Sequence, residues 1–394
     1  MFNFTFHNPT RIIFGKDTIA QLHKYVPANA RVLVLYGGGS VLRNGVLAAV
    51  RTALAEGPDR KVFEFAGIEP NPHFETCLKA IDLIRTEQCD FLLAVGGGSV
   101  IDATKFIAGA AALPPEQRTE TQAWEILTSY GKTIQAALPF GTVLTLPATG
   151  SEMNNGAVIT RAATQDKLSF ASRYVYPQFS IMDPTVTYTL PARQVANGVV
   201  DAFVHTIEQY LTYPVDARVQ DRFAEGLLHT LIEVGPHSVQ HADDYDSRAN
   251  LMWAATMALN GLIGAGVPQD WATHLLGHEL TAQHGIDHAR TLALMLPAVL
   301  KYCRNDKHAK LLQYAERIWN LREGSETQRI DAAIAKTETF FESLGLPTRL
   351  SAYQLDASHI PALVAALEKH GLTQLGEHRK ITPEVSQKIY ELAV

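Results

Sequence analysis

Cysteine is scarce: there are three in 394 residues, Cys77, Cys89 and Cys303. The count is odd and no pair has zinc-finger or redox spacing. That excludes a disulfide framework and points to free thiols in a reducing compartment. Charge is also sparse, at 19% of residues, and the formal net charge is −6. A chain of this kind is not built to bind a nucleic-acid backbone, although a local basic pocket for one phosphate is still allowed. No apolar run reaches the roughly 18 residues needed to span a bilayer. The N-terminus, MFNFTFHNPTRIIFGKD, lacks the basic start and apolar core of a signal peptide. The expectation is a cytoplasmic globular protein with neither a membrane nor a nucleic-acid partner. Its 46% hydrophobic content suits one large or two medium domains.

Strand and helix patterns alternate through the first half. Phe2, Phe4 and Phe6 alternate with polar residues and read as a strand, and Thr10–Phe14 reads as a second. Asp17–Tyr25 reads as helical. Arg31–Tyr36 and Phe91–Val95 are continuous apolar runs, as expected of strands covered on both faces. Lys61–Phe65, Thr142–Pro147 and Phe179–Met182 complete the strands, with helices expected up to about Leu54, over Phe74–Thr86 and over Ile101–Ala111. Pro114–Arg118 reads as a loop. The alternation predicts a parallel sheet sandwiched by helices. Beyond about Leu190 nine helical patterns follow, from Val195–Leu211 to Thr382–Ala393, and no strand. The division is placed at 1–184 for an α/β domain and 185–394 for an all-α domain.

Two strands run into the same sequence, Gly37-Gly38-Gly39-Ser40 and Gly96-Gly97-Gly98-Ser99. A glycine-rich turn between a strand and a helix lets backbone N–H groups approach phosphate oxygens. One such run is better explained by a tight turn; two of the same type favour a nucleotide or pyrophosphate site. Ligands in parallel sheets sit beyond the carboxyl ends of the strands, where both runs fall. Neither run is a G-x-G-x-x-G fingerprint, because Leu42 and Ile101 occupy the third glycine position, and there is no P-loop lysine. Asp102, just after the second run, suits either a cofactor hydroxyl or amide or a solvated first-turn position.

The all-α half holds four histidines in fifteen residues: His274, His278, His284 and His288. His274 and His278 share a helix face. The stretch lacks the second histidine of H-E-x-x-H, with Ala282 in its place. Asp201 and His205, four apart in an apolar helix, offer the missing partner. One carboxylate with three imidazoles suits zinc or ferrous iron. Spacing alone does not choose among the four histidines.

At these residues the chain resembles the iron-containing, or group III, alcohol dehydrogenases. The resemblance covers essentially the whole sequence. It is carried by Glu69-Pro70-Asn71-Pro72, Gly96-Gly97-Gly98-Ser99-Val100-Ile101-Asp102, Thr145-Leu146-Pro147-Ala148-Thr149-Gly150-Ser151-Glu152, Asp201-x-x-x-His205 and His274-x-x-x-His278 with His288. PTRIIFG, VANGVVDAFVHTIEQY and LNGLIGAGVPQDWATH are similar to the NADPH-dependent aldehyde reductase, butanol dehydrogenase-like branch. The resemblance implies a dehydroquinate synthase-like α/β domain that binds dinucleotide, followed by an all-α domain. It implies one divalent metal, Zn2+ or Fe2+, on Asp201, His205, His274 and His288, with His278 beside the nicotinamide as a proton-relay candidate. It also implies a cofactor cleft lined by Gly37, Gly38, Ser40, Asn71, Gly96, Gly97, Gly98, Ser99, Asp102, Thr145, Thr149, Asn154 and Lys167. His284 is left with a structural role.

Relatives that prefer NAD carry an acidic residue near Gly38, and here the place is Gly37–Ser40. With no carboxylate to repel a 2′-phosphate, NADP(H) is expected. Arg43 suits either that phosphate or an exposed helix position. Val186 stands where relatives often have an aromatic residue. The expected reaction is reversible hydride transfer between NADP(H) and small aldehydes, with Trp271 and its apolar neighbours favouring short aliphatic substrates. Alternatives are an NAD-dependent glycerol or diol dehydrogenase of the same fold, a metal-dependent hydrolase, and a non-catalytic cofactor-binding regulator. A hydrolase leaves both glycine runs unexplained. The resemblance also implies that the strands of residues 2–14 pair across a two-fold axis, and a lone edge strand would invite aggregation, so a homodimer is expected.

Overall fold

A computed structural model describes all 394 residues. The chain divides into two compact units. One comprises His7–Leu190 with Ala242–Met252; the other comprises Met1–Phe6, Pro191–His241 and Trp253–Val394.

The first unit is built on a six-stranded sheet. Its main strands are β1 (Arg11–Phe14), β2 (Arg31–Tyr36), β3 (Lys61–Phe65), β4 (Phe91–Gly97) and β5 (Phe140–Leu146). A hairpin of β6 (Gly156–Arg161) and β7 (Asp166–Ala171) stands apart, and β8 (Phe179–Met182) returns to the main sheet. The spatial order is β1-β8-β5-β4-β2-β3, with every pair parallel. Alternation sorts the side chains into two cores. Leu33, Leu35, Leu92 and Ala94 face one side, with Ile101, Phe106 and Ile107. Val32, Val34, Phe91, Leu93 and Val95 face the other, with Leu47, Val50 and Leu54. Both faces are therefore dry, which is why β2 and β4 read as unbroken apolar runs. The covering helices are α1 (Ser40–Arg43), α2 (Val46–Ala55), α3 (Phe74–Glu87), α4 (Gly98–Ala111) and α5 (Glu120–Thr128).

The second unit is helical: α6 (Ala192–Tyr210), α7 (Arg218–Gln240), the end of α8 (Tyr245–Ala258), α9 (Ala272–His284), α10 (His288–Tyr302), α11 (His308–Arg317), α12 (Glu326–Ser343), α13 (Ile360–Lys369) and α14 (Pro383–Glu391). Helix α6 is buried over sixteen of its nineteen residues, so it is the unit's central rod. Beyond Leu190 there is no strand, only an isolated bridge between Leu375 and Ile381. None of the helices is long and apolar enough to cross a membrane.

Four local expectations are corrected. Residues 2–6 form no strand. Instead the Phe2 N–H donates to the Gly266 carbonyl at 2.8 Å and its ring meets Tyr213 edge-on. Alternation marks a strand only where an edge is available to pair with. Residues 18–24 form a 3₁₀ helix rather than an α-helix. Helix α5 was not anticipated; Thr119 caps it by accepting from Gln122 N. The β6–β7 hairpin was also missed. Its turn places Gln165 at φ 56° rather than a glycine or asparagine, so the usual turn signal is absent.

Candidate active site

Strands β5, β4 and β2 are neighbours, so their carboxyl ends lie side by side. Those ends are Thr145–Thr149, Gly96–Ser99 and Gly37–Ser40. Helix α4 begins at Gly98, inside the second glycine run, which brings its free N–H groups to the strand end. Gly98 has little choice of residue: a Cβ there would lie 2.4 Å from Thr149 Oγ1. Around Gly38 the opposite holds, since a Cβ would meet nothing within 4 Å. Gly39 adopts φ 95° ahead of α1, and the Arg43 guanidinium lies near it. Val186 packs against the unit's own core.

Hydrogen bonds gather the remaining cofactor candidates into two groups. Asn71, at φ 55°, donates its N–H to Ser99 Oγ at 3.3 Å and accepts Lys167 Nζ on Oδ1 at 2.9 Å. Asn154 donates to Thr149 O at 3.4 Å, and its Oδ1 accepts from Lys105 Nζ at 2.8 Å. Lys105 is fully buried, and burial pushes its ammonium down to about 8. Asp102 is not the solvated residue that its first-turn position allowed. Its two oxygens accept from Ser151 Oγ at 2.6 Å and Val158 N at 2.8 Å, and burial raises its carboxyl. It therefore braces the turn that carries Thr149 and Asn154. In the sequence Lys105 follows the second glycine run at helix spacing with Asp102, and Ser151 stands in the family motif, but neither was given a role there.

In the helical unit α6 supplies Asp201 and His205, and α9 supplies His274. Helix α9 starts where Asp270 Oδ1 accepts the Ala272 N–H at 2.8 Å, and it ends at Gly285 with φ 66°. The chain reverses over Ile286 and Asp287, and His288 is the first residue of α10. Asp287 steadies that corner by accepting from Arg193 at 2.8 Å and Asn197 at 3.0 Å.

Three imidazoles converge on one carboxylate oxygen. Asp201 Oδ1 lies 3.6 Å from His205 Nε2, 3.9 Å from His274 Nε2 and 3.6 Å from His288 Nε2. Asp201, His205 and His274 are all buried and form a metal-competent group. Asp201 Oδ1 and His274 Nε2 are buried without a hydrogen-bond partner, a costly arrangement that a cation would relieve. The donor set therefore fits a divalent metal. His278, also buried, sits beside this group: its ring is 5.2 Å from His288 and 6.4 Å from His274. His284 lies elsewhere, 5.5 Å from His359. The Trp271 ring meets His274 at 5.5 Å and His205 at 6.4 Å, forming an apolar wall.

Charge organises the cluster further. Burial opposes ionisation of Asp201, but the His205, His274 and His288 imidazoles outweigh it and hold the carboxyl well below its usual range. Burial pushes His205 down to about 4. Burial also opposes a charge on His274, yet the Glu208 and Asp201 carboxylates override it and push the imidazole up to about 9. Glu208 touches His274 Nδ1 and accepts the Thr273 N–H on Oε1 at 2.7 Å. It was missed in the sequence, although Asp201, His205 and Glu208 follow i, i+4, i+7 spacing on one face of α6.

The profile described as iron-containing alcohol dehydrogenase matches residues 9–184, and the C-terminal profile of the Fe-containing alcohol dehydrogenase family matches residues 195–394. The chain is 62% identical over 393 residues to the NADPH-dependent aldehyde reductase YqhD of Escherichia coli K12, covering 100% of both. The crystal structure of E. coli K-12 YqhD superposes with a TM-score of 0.97 at 62% identity, covering 100% of this chain and 99% of that one. An NADH-dependent butanol dehydrogenase A from Thermotoga maritima superposes with a TM-score of 0.93 at 34% identity, covering 100% and 99%.

Proposed function

The chain belongs to the iron-containing alcohol dehydrogenase family, and on that premise we propose that it reduces small aldehydes to primary alcohols with NADPH as hydride donor. The observation that carries the reading is the convergence of three imidazole nitrogens on Asp201 Oδ1 within 3.6–3.9 Å. Asp201, His205, His274 and His288 would hold one divalent metal, zinc or iron. Such an ion supplies Lewis-acid polarisation of a carbonyl oxygen. Trp271 offers an apolar wall to a short aliphatic chain, and His278 or a water chain would pass a proton to the product oxygen; the His278 ring 5.2 Å from His288 supports this.

In residues 1–184, the glycine-lined ends of β2 and β4 and the groups Asn71–Ser99–Lys167 and Asp102–Thr149–Asn154 would seat the nucleotide. Residues 185–394 would form the metal-binding domain. The absence of a carboxylate from Gly37–Ser40 supports NADP(H) over NAD(H). The 62% identity to an enzyme named for NADPH-dependent aldehyde reduction supports the same assignment. A homodimer is in keeping with Phe2, Phe4 and Phe6, which are 43–49% exposed in the single chain. Light scattering at micromolar concentration should give twice the chain mass. Free cysteines suit the cytoplasm.

The test is loss of reduced-nicotinamide absorbance with butanal in metal-replete protein. NADPH should be consumed faster than NADH. Consumption of neither would overturn the assignment.

A further inference from the structure

We propose that Glu208 is a positioning residue for the metal, holding His274 in the one tautomer that turns a lone pair towards Asp201. The inference rests on the metal reading above. A neutral imidazole carries its proton on one nitrogen and its lone pair on the other, and the partner of one nitrogen decides the state of both. Here Nδ1 of His274 meets Glu208 Oε2, while Nε2 points to Asp201 Oδ1 at 3.9 Å and has no hydrogen-bond partner. A carboxylate can only accept, so a proton belongs on Nδ1, and in the neutral, metal-binding ring the lone pair falls on Nε2.

Glu208 is itself held rigidly. It is 3% exposed on the buried helix α6, and its second oxygen accepts the Thr273 N–H at 2.7 Å. Its main-chain carbonyl accepts the Asp270 N–H at 2.8 Å. Asp270 is fastened in turn by Lys307 Nζ, at 2.8 Å from Oδ2, and that ammonium also meets Glu377 at 2.7 Å. One carboxylate therefore fixes both the start of α9 and the ring that projects from it.

This geometry makes Glu208→Gln a sharp probe. The Thr273 N–H is a fixed donor, so the amide oxygen must turn to it. The amide NH2 then faces His274 Nδ1, which must accept. The proton moves to Nε2, which then has no lone pair to offer the metal. A residue that merely capped α9 would not have this consequence, because glutamine still caps.

The experiment uses full-length zinc-loaded protein and follows metal release into excess EDTA. Glu208→Gln should release zinc about 10- to 100-fold faster than the parent, with NADPH affinity measured by fluorescence within about twofold. As a second measurement, long-range 1H–15N spectra of the zinc-loaded parent should show His274 protonated at Nδ1 and zinc-ligated at Nε2. Release rates within about twofold of each other, or His274 ligated through Nδ1, would overturn the role of Glu208 while leaving the metal centre standing. A parent protein that retains no zinc would overturn the metal reading and this inference together.

Discussion

The two units present their chemistry in opposite ways. At the strand ends of the α/β unit the proposed nucleotide surface is largely backbone: Gly38 leaves it open, and Gly96, Gly97 and Gly98 let Val100, Leu146 and Thr149 pack close against it. In the helical unit it is entirely side chain, with three imidazoles and a carboxylate pointing at one place. A backbone surface fails when something is added to it. A side-chain cluster fails when something is taken away.

The largest effect expected from this difference is at Asp201. Asp201→Ala should leave about 0.1 metal ions per chain or fewer and lower kcat/KM on the order of 10³-fold. NADPH binding, measured by fluorescence, should stay within about twofold. Loss of both together would erase the distinction between the two units. Next comes Gly98→Ala, whose Cβ would collide with Thr149 Oγ1 at 2.4 Å. The KM for NADPH should rise by roughly 10- to 100-fold, with metal content by atomic absorption unchanged.

Lys105 sharpens the comparison, because here a side chain supports a backbone surface. Burial lowers its ammonium to about 8 from an ordinary 10.5. Below pH 8 the fold bears the full cost of the buried charge. Between pH 8 and 10.5 the folded chain gives up the proton that the unfolded chain keeps, so stability rises with pH. Relative to Lys105→Met, the parent should gain about 2 kcal/mol between pH 8 and 10 in urea unfolding. Parallel curves for the two proteins would show that burial does not lower the lysine's ammonium in the fold. The smallest effect is Ser40→Asp, which places a carboxylate beside the open Gly38 turn. It should shift the NADPH-to-NADH ratio of kcat/KM by about tenfold towards NADH.

Several features were legible in advance because they depend on local pattern. The buried strands β2 and β4 are apolar on both faces, so no alternation hides them. The glycine runs announce themselves because a tight strand-to-helix turn with close neighbours, such as Gly98 against Thr149, has no room for a Cβ. Asp201 and His205 share a helix face by spacing alone. The features that escaped lack a local signature. The β6–β7 hairpin turns on Gln165, which carries no turn signal. Phe2–Phe6 alternates like a strand, and only the absence of a paired edge shows that it is not one.

By itself the sequence determined the main-sheet strands, most of the helices, the glycine-rich strand ends and a pool of candidate ligands; these follow from backbone preference, burial and periodicity. Which imidazoles meet is a matter of tertiary structure. His274 and His288 converge on Asp201 because Gly285 reverses the chain between α9 and α10 and α6 packs beside them. His284, only four residues before His288, ends up beside His359 instead. Glu208 and Lys105 likewise acquire their roles only through neighbours distant in the chain. Ligand geometry depends on atoms within a few ångströms, and sequence spacing specifies such distances only within one helix or strand.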